Sequence, residues 1–194
     1  VSFVAVYAST GVSKLSTKED FYAKLSSVMD AVPKGYTLIV LGDFNAVTGI
    51  SRDSYEACIG PHGSGNFPAG ERDTNSTMML DFAMHHGLRV GGSWFQRPDS
   101  WRWTWYSNTG RVKKEIDHVL VDSRWTLLQN CRVFRSAQLF STDHRLLVAT
   151  LKLRLRAPRR PASGQVWLDV SRLQEPSVAE AFAGSLTGRL EEIG

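Results

Sequence analysis

A set of polar side chains falls where apolar runs end: Tyr7 after residues 1–6, Asp43 and Asn45 after residues 38–41, Asp117 inside the run 116–121, and Asp143-His144 just ahead of 146–155. In open α/β sheets the groups that do chemistry lie beyond the carboxyl ends of strands. Carboxylates, an imidazole, an amide and a phenol gathered at one such end suit metal-assisted attack of water on a phosphate ester, because a hard divalent cation takes oxygen ligands and shares itself with substrate phosphate. Asp43 and Asn45 are two residues apart, so an extended chain projects both to one side. The same Gly42-Asp43-Phe44-Asn45 is built from turn formers, and at this point a plain turn remains an equal reading. Asp117 is a carboxylate in an apolar run, and a buried acid needs a cation or imidazole to reach it. No serine or cysteine sits in a nucleophile elbow and no Gly-rich phosphate loop precedes a helix, which disfavours covalent catalysis and nucleotide cradling.

These side chains require strands to hold them. Residues 2–8 read as a first strand, and Leu38-Ile39-Val40-Leu41 as a strand buried on both faces. Between them Thr17-Lys18-Glu19-Asp20 fits a capping box, with Phe21, Leu25, Val28, Met29 and Val32 at helical spacing before Pro33 and Gly35. The three elements form a strand–helix–strand unit. Residues 48–73 are rich in Gly, Ser and Pro without a sustained period, the pattern of a functional or mobile loop. Asn75 is expected to cap a helix over 76–86, ended by Gly87; the His85-His86 pair reads as structural, not metal-binding. Residues 88–90 and 94–95 read as a short strand region. Trp101 to Tyr106 alternates like a strand that turns through Ser107-Asn108-Thr109-Gly110 into a partner strand at 116–121, with at least one tryptophan face in the core. Glu115 reads as a surface acid. Further strands follow around Cys131 and over 146–155, with Leu151, Leu153 and Leu155 inward.

With 194 residues and 42% hydrophobic content, the chain can bury a core. Residues 1–156 read as one domain, 157–164 as a linker by composition, and 165–194 as a tail whose Val178, Phe182, Leu186 and Leu190 make an amphipathic helix. Val1 starts in what looks like mid-strand, so the chain is expected to be a fragment of a domain. No apolar run is long enough to span a bilayer. Cys58 and Cys131 suggest neither a metal site nor a disulfide, and the expected setting is reducing and intracellular. The net charge of +4 permits a nucleic-acid partner without requiring one.

Tyr7-Ala8-Ser9-Thr10 after a strand, Gly42-Asp43-Phe44-Asn45, Ile116-Asp117-His118 and Ser141-Thr142-Asp143-His144 occur in the order and approximate spacing of the endonuclease/exonuclease/phosphatase family. The chain thus resembles the latter part of a DNase-I-like four-layer α/β sandwich. Within that family it is most similar to the endonuclease domains of non-LTR retrotransposons and to craniofacial-development-protein-like sequences. Asp73-Thr74-Asn75, the Gly91-Gly92 strand and the tail through Phe182 carry that finer likeness, and the tail resembles a linker leading to a reverse transcriptase.

The resemblance implies a Mg²⁺- or Mn²⁺-dependent DNA endonuclease, with a nuclear location. It implies that Asp43 readies the attacking water, Asn45 holds that water or a phosphate oxygen, and His144 donates to the phosphoryl oxygen while Asp117 accepts its other N–H. Asp143 would ligate or orient the metal's hydration shell, and Tyr7 would bond the scissile phosphate. An Asn and a metal-binding Glu of the family would lie before Val1. Asn75, Arg102, Trp105, Arg111, Lys113 and Lys114 are the candidates for DNA contact, mainly to backbone and minor groove. The competing reading is an inactive remnant that binds DNA or protein without cutting.

Overall fold

A computed structural model of the chain describes residues 1–65, 72–124, 127–134, 142–153 and 169–191. Two compact units divide it, Val1–Leu153 and Arg154–Gly194. In the first, β1 (Ser2–Tyr7), α1 (Leu15–Asp30) and β2 (Leu38–Asp43) form the expected strand–helix–strand unit, with β1 and β2 parallel. Then come α2 (Thr74–His85), β3 (Leu88–Val90), β4 (Trp105–Tyr106), β5 (Lys113–Lys114), β6 (Asp117–Asp122), β7 (Leu128–Phe134) and β8 (Leu146–Leu151). The main sheet runs β1-β2-β6-β3, and β6 is antiparallel to both of its neighbours.

The sheet is covered on two faces, as the near-continuous apolar runs of β2 and β6 require. Val40, Leu88, Val90 and Leu120 pack against Leu25 and Met29 of α1 and against Met79, Leu80 and Phe82 of α2. Ile39, Val119 and Val121 point the other way, onto Leu128, Leu147, Ala149 and Leu151 of the β7–β8 ribbon. This gives three successive layers: helices, main sheet and second sheet. Gly42 has φ +143°, and a Cβ there would run into the Val6 carbonyl oxygen, so only glycine lets β1 lie this close to β2.

Several local expectations are corrected. Helix α1 begins at Leu15 with Lys14 before it, so Thr17 lies in the first turn and forms no capping box; the Lys18 ammonium instead reaches the Gly11 carbonyl at 2.9 Å. Val28 is exposed, while Leu25 and Met29 carry the buried face. Asp73, not Asn75, caps α2, its carboxylate accepting from the Ser76 N–H at 2.8 Å. Trp94 ends a 3₁₀ turn over Gly91–Trp94 and is not in a strand. The tryptophan stretch is mostly irregular. A second 3₁₀ turn spans Asp99–Trp101, and only Trp105–Tyr106 is extended, paired with Lys113–Lys114. The turn at 107–110 is as expected, but residues 117–122 join the main sheet instead of the hairpin. Part of the 48–73 loop is packed, with Cys58 and Ile59 fully buried, because its glycines allow Gly60 to lie against the Ser93 backbone and Gly63 against Gly49, while Ile50 is exposed.

Leu151 faces inward and Leu153 is exposed; Leu155, the 157–164 linker and Ser141 lie outside the described residues. In the second unit a 3₁₀ turn at Val170–Gln174 precedes α3 (Pro176–Glu191), on which Phe182, Leu186 and Leu190 are exposed. Among the described residues no helix is long and apolar enough to cross a membrane. Cys58 and Cys131 are free and buried, and burial pushes their thiols up to about 11 and about 12 respectively, which keeps both unreactive.

Candidate active site

Strands β2 and β6 deliver the centre of the site. Asp43 and Asp117 are direct cross-strand partners, and Tyr7 lies beside Asp43 in the register of β1. Asp43 is buried, and its Oδ1 accepts the Asn45 N–H at 2.8 Å. That bond closes a tight turn with Asn45 in the left-handed region (φ 47°), a conformation asparagine tolerates. The turn reading and the functional reading of Gly42-Asp43-Phe44-Asn45 therefore describe the same object. Asn45 Nδ2 donates to the Ala8 carbonyl at 2.9 Å and more weakly to Asp43 Oδ2 at 3.4 Å, which leaves its oxygen as the part of the amide able to take a further donor.

His144 meets Asp117 as a buried acid demands, with Nδ1–H donating to Asp117 Oδ2 at 3.0 Å. The carboxylate thereby fixes the tautomer and reserves Nε2 for another partner. One ligand atom from each of Asp43, Asp117 and His144 lies within 4.8 Å of the others, a grouping able to hold a metal ion. Burial raises the Asp43 carboxyl above the ordinary carboxylate range; the Asn45 N–H opposes this rise and the nearby Asp117 charge adds to it. The Tyr7 ring is 75% exposed at the end of β1.

The residues behind this centre take roles that no local sequence pattern signals. Thr104 is fully buried, and its hydroxyl oxygen accepts the N–H groups of both Ile116 and Asp117 at 3.0 Å, setting where β6 begins. Glu115 is not a surface acid. It is 6% exposed, its Oε2 accepts Arg102 Nε at 3.0 Å and Nη2 at 2.9 Å, and the Ser64 hydroxyl donates to it as well. Arg102, also 6% exposed, is consequently unable to contact DNA. Breaking a buried ion pair from one side leaves an uncompensated charge. Glu115→Ala is expected to destabilise the protein by about 3 kcal/mol, measured by denaturant unfolding.

Asn75 is likewise removed from the DNA-facing set. It is 4% exposed, and its Nδ2 donates to the carbonyls of Ser9 and Asn45, both at 2.9 Å, tying the loop after β1 to the Asn45 turn. Trp105 is half-buried and donates Nε1–H to Asp143 Oδ2 at 2.7 Å. Arg111, Lys113 and Lys114 are exposed; the Lys113 ammonium stands 4.3 Å over the Trp103 ring. His86 takes a structural place, 3.0 Å from the Ser26 hydroxyl and against Phe82, where burial lowers its pKa.

The model of the Endonuclease/Exonuclease/phosphatase family matches residues 11–144, more than half of the chain. Craniofacial development protein 2 of Tragulus javanicus and of Bos taurus are each 28% identical over 156 residues, 80% of this chain. The chain spans only about a quarter of those relatives, 26% and 25%. Among solved structures, the 3′ phosphatase NExo from Neisseria, bound to a product DNA hairpin, superposes with a TM-score of 0.54 at 19% identity, covering 78% of this chain and 61% of that one. The endonuclease domain of TRAS1, a telomere-specific non-LTR retrotransposon, gives 0.49 at 18% identity over 77% and 57%. The fold is the DNase-I-like α/β arrangement, and the chain belongs to the endonuclease/exonuclease/phosphatase family.

Proposed function

We propose that this chain carries catalytic residues of a divalent-metal-dependent phosphodiesterase that nicks DNA, of the kind found in retrotransposon endonucleases. The observation that carries this reading is the convergence of Asp43 with the Asp117–His144 pair at the ends of β2 and β6, inside a fold whose family cleaves phosphoesters. Asp43 would take a proton from the attacking water, and its raised pKa brings it nearer the range where a general base works. The Asn45 oxygen would accept the water's second hydrogen, a narrower role than holding phosphate. His144 in its charged form would donate Nε2–H to the phosphoryl oxygen as negative charge develops, with Asp117 holding the ring. Tyr7 would bond the phosphate from β1. Asp143, next to His144 in the chain, would ligate Mg²⁺ or Mn²⁺ or order its hydration shell, and the metal when bound would offset charge on the phosphate.

Arg111, Lys113 and Lys114 on the β4–β5 hairpin would contact phosphates beside the site. Lys113→Ala and Lys114→Ala should each raise the KM for DNA and reduce the steepness of log K against log salt by about 0.9 for each phosphate no longer neutralised, checked by nicking assays across a salt series. A downstream reverse-transcriptase-like region, a domain boundary near residue 156 and a nuclear location belong to the same proposal and rest on the motif resemblance. The test uses the full-length protein on supercoiled plasmid: nicking in Mg²⁺, abolished by EDTA and restored by added metal, is the expected result. Persistent cutting in EDTA rules the mechanism out. A protein that retards DNA in gels but never nicks it would favour the inactive-remnant reading, for which the exposed basic hairpin is the supporting feature.

A further inference from the structure

We infer that Trp105 is a positioning residue, which holds Asp143 and His144 from behind the reacting centre and does not touch DNA; this rests on the hydrolase reading above. An indole has one N–H and no acceptor, so it can satisfy a single partner. Here that partner is the Asp143 carboxylate at 2.7 Å, the short distance of a hydrogen bond to an ionised group. The two residues stand 38 apart in the chain, so the fold and not a local turn sets this bond.

The backbone of Trp105 acts on the neighbouring residue. Trp105 and His144 form an antiparallel bridge, flanked by Arg145 N–H to the Thr104 carbonyl at 2.7 Å and Tyr106 N–H to the Asp143 carbonyl at 3.2 Å. On its other side Trp105 pairs with Lys114, and the preceding Thr104 is the buried residue that also receives the Ile116 and Asp117 amides. One short strand is thus hydrogen-bonded to both arms of the site: to β6, which brings Asp117, and to the segment bringing Asp143 and His144. The side chain supplies the bond that sets Asp143's rotamer, and the backbone supplies the height of His144.

Trp105→Phe removes the N–H and keeps an aromatic ring, so packing changes little. In the full-length protein it is expected to lower kcat for plasmid nicking by about 10–100-fold, the usual cost of removing an orienting partner at a metal site, while KM for DNA stays within about twofold. The double variant Trp105→Phe with Asp143→Asn should be no slower than Asp143→Asn alone, since both changes remove one arrangement. Mn²⁺ affinity, read by electron paramagnetic resonance without any substrate, should weaken by about 10–100-fold in Trp105→Phe. A rise in KM with kcat intact would make Trp105 a DNA contact and overturn the proposal, as would losses that multiply in the double variant. If the wild-type protein cleaves nothing, the hydrolase reading fails, and the Mn²⁺ titration still decides: unchanged affinity in Trp105→Phe overturns the positioning role.

Discussion

Asp43→Asn is expected to slow nicking by about 10²–10⁴-fold, the usual worth of a positioned proton acceptor, without unfolding the protein. The Asn45 N–H can still donate to the oxygen of an asparagine at 43, so the turn at the end of β2 survives. The stability of this variant should also run opposite to its activity. Burial raises the folded-state pKa of Asp43, so its proton is bound more tightly in the folded chain than in the unfolded one. Its stabilising contribution is therefore complete below the ordinary carboxylate pKa and is lost as pH rises through the raised value. At neutral pH and without metal, wild type buries a charge that Asp43→Asn does not. The variant should then melt at or above the wild-type temperature, and the difference should shrink on acidification; thermal melts in EDTA from neutral to acidic pH check this. A difference that moves in the variant's favour as pH falls would contradict the account.

His144→Ala is expected to cost about 10²–10³ in kcat, the scale of removing one preorganised donor to developing charge. Asp117→Asn should fall in the same direction, because an amide at 117 carries no charge to stabilise the imidazolium and its NH2 can donate to Nδ1, which favours the wrong tautomer. The combination tests whether the two act as one unit. If Asp117 works through His144, the double variant loses no more than His144→Ala alone, as expected for groups acting on one step. Single-turnover nicking of saturating plasmid separates this chemical effect from binding. Independent, multiplying losses would mean that Asp117 has a separate task, such as holding the metal, beyond orienting the imidazole.

The parts of this site that are legible in the sequence are those with a local period. Leu38 to Asp43 reads as a buried strand because its apolar residues are consecutive and β-branched, and the fold places it centrally in the sheet with Asp43 at its end. Leu25 and Met29 read as a helical face for the same reason. The need of Asp117 for a partner is legible from desolvation alone, and His144 meets it. What is not legible is long-range polar pairing. Arg102 and Glu115 are 13 residues apart in chain order, and nothing in either neighbourhood signals that each is buried against the other. Alternation misleads at Trp101–Tyr106, since large rings recur every second residue in a strand and also in an irregular segment pinned by side-chain bonds. Asn75 looks like a helix cap because Asp73, Thr74 and Asn75 all suit that position, and only the fold shows which one ties loops together.

The missing side chain at Gly42 has an evolutionary corollary. With the Val6 carbonyl seated where a methyl group would stand, even the smallest substitution wedges the two parallel neighbours apart, and Tyr7 and Asp43 are the next pair along that seam. Any descendant that keeps this sheet, cutting or not, is thus confined to one residue type at position 42, and a bulky replacement there would signal loss of the seam itself and not of activity alone.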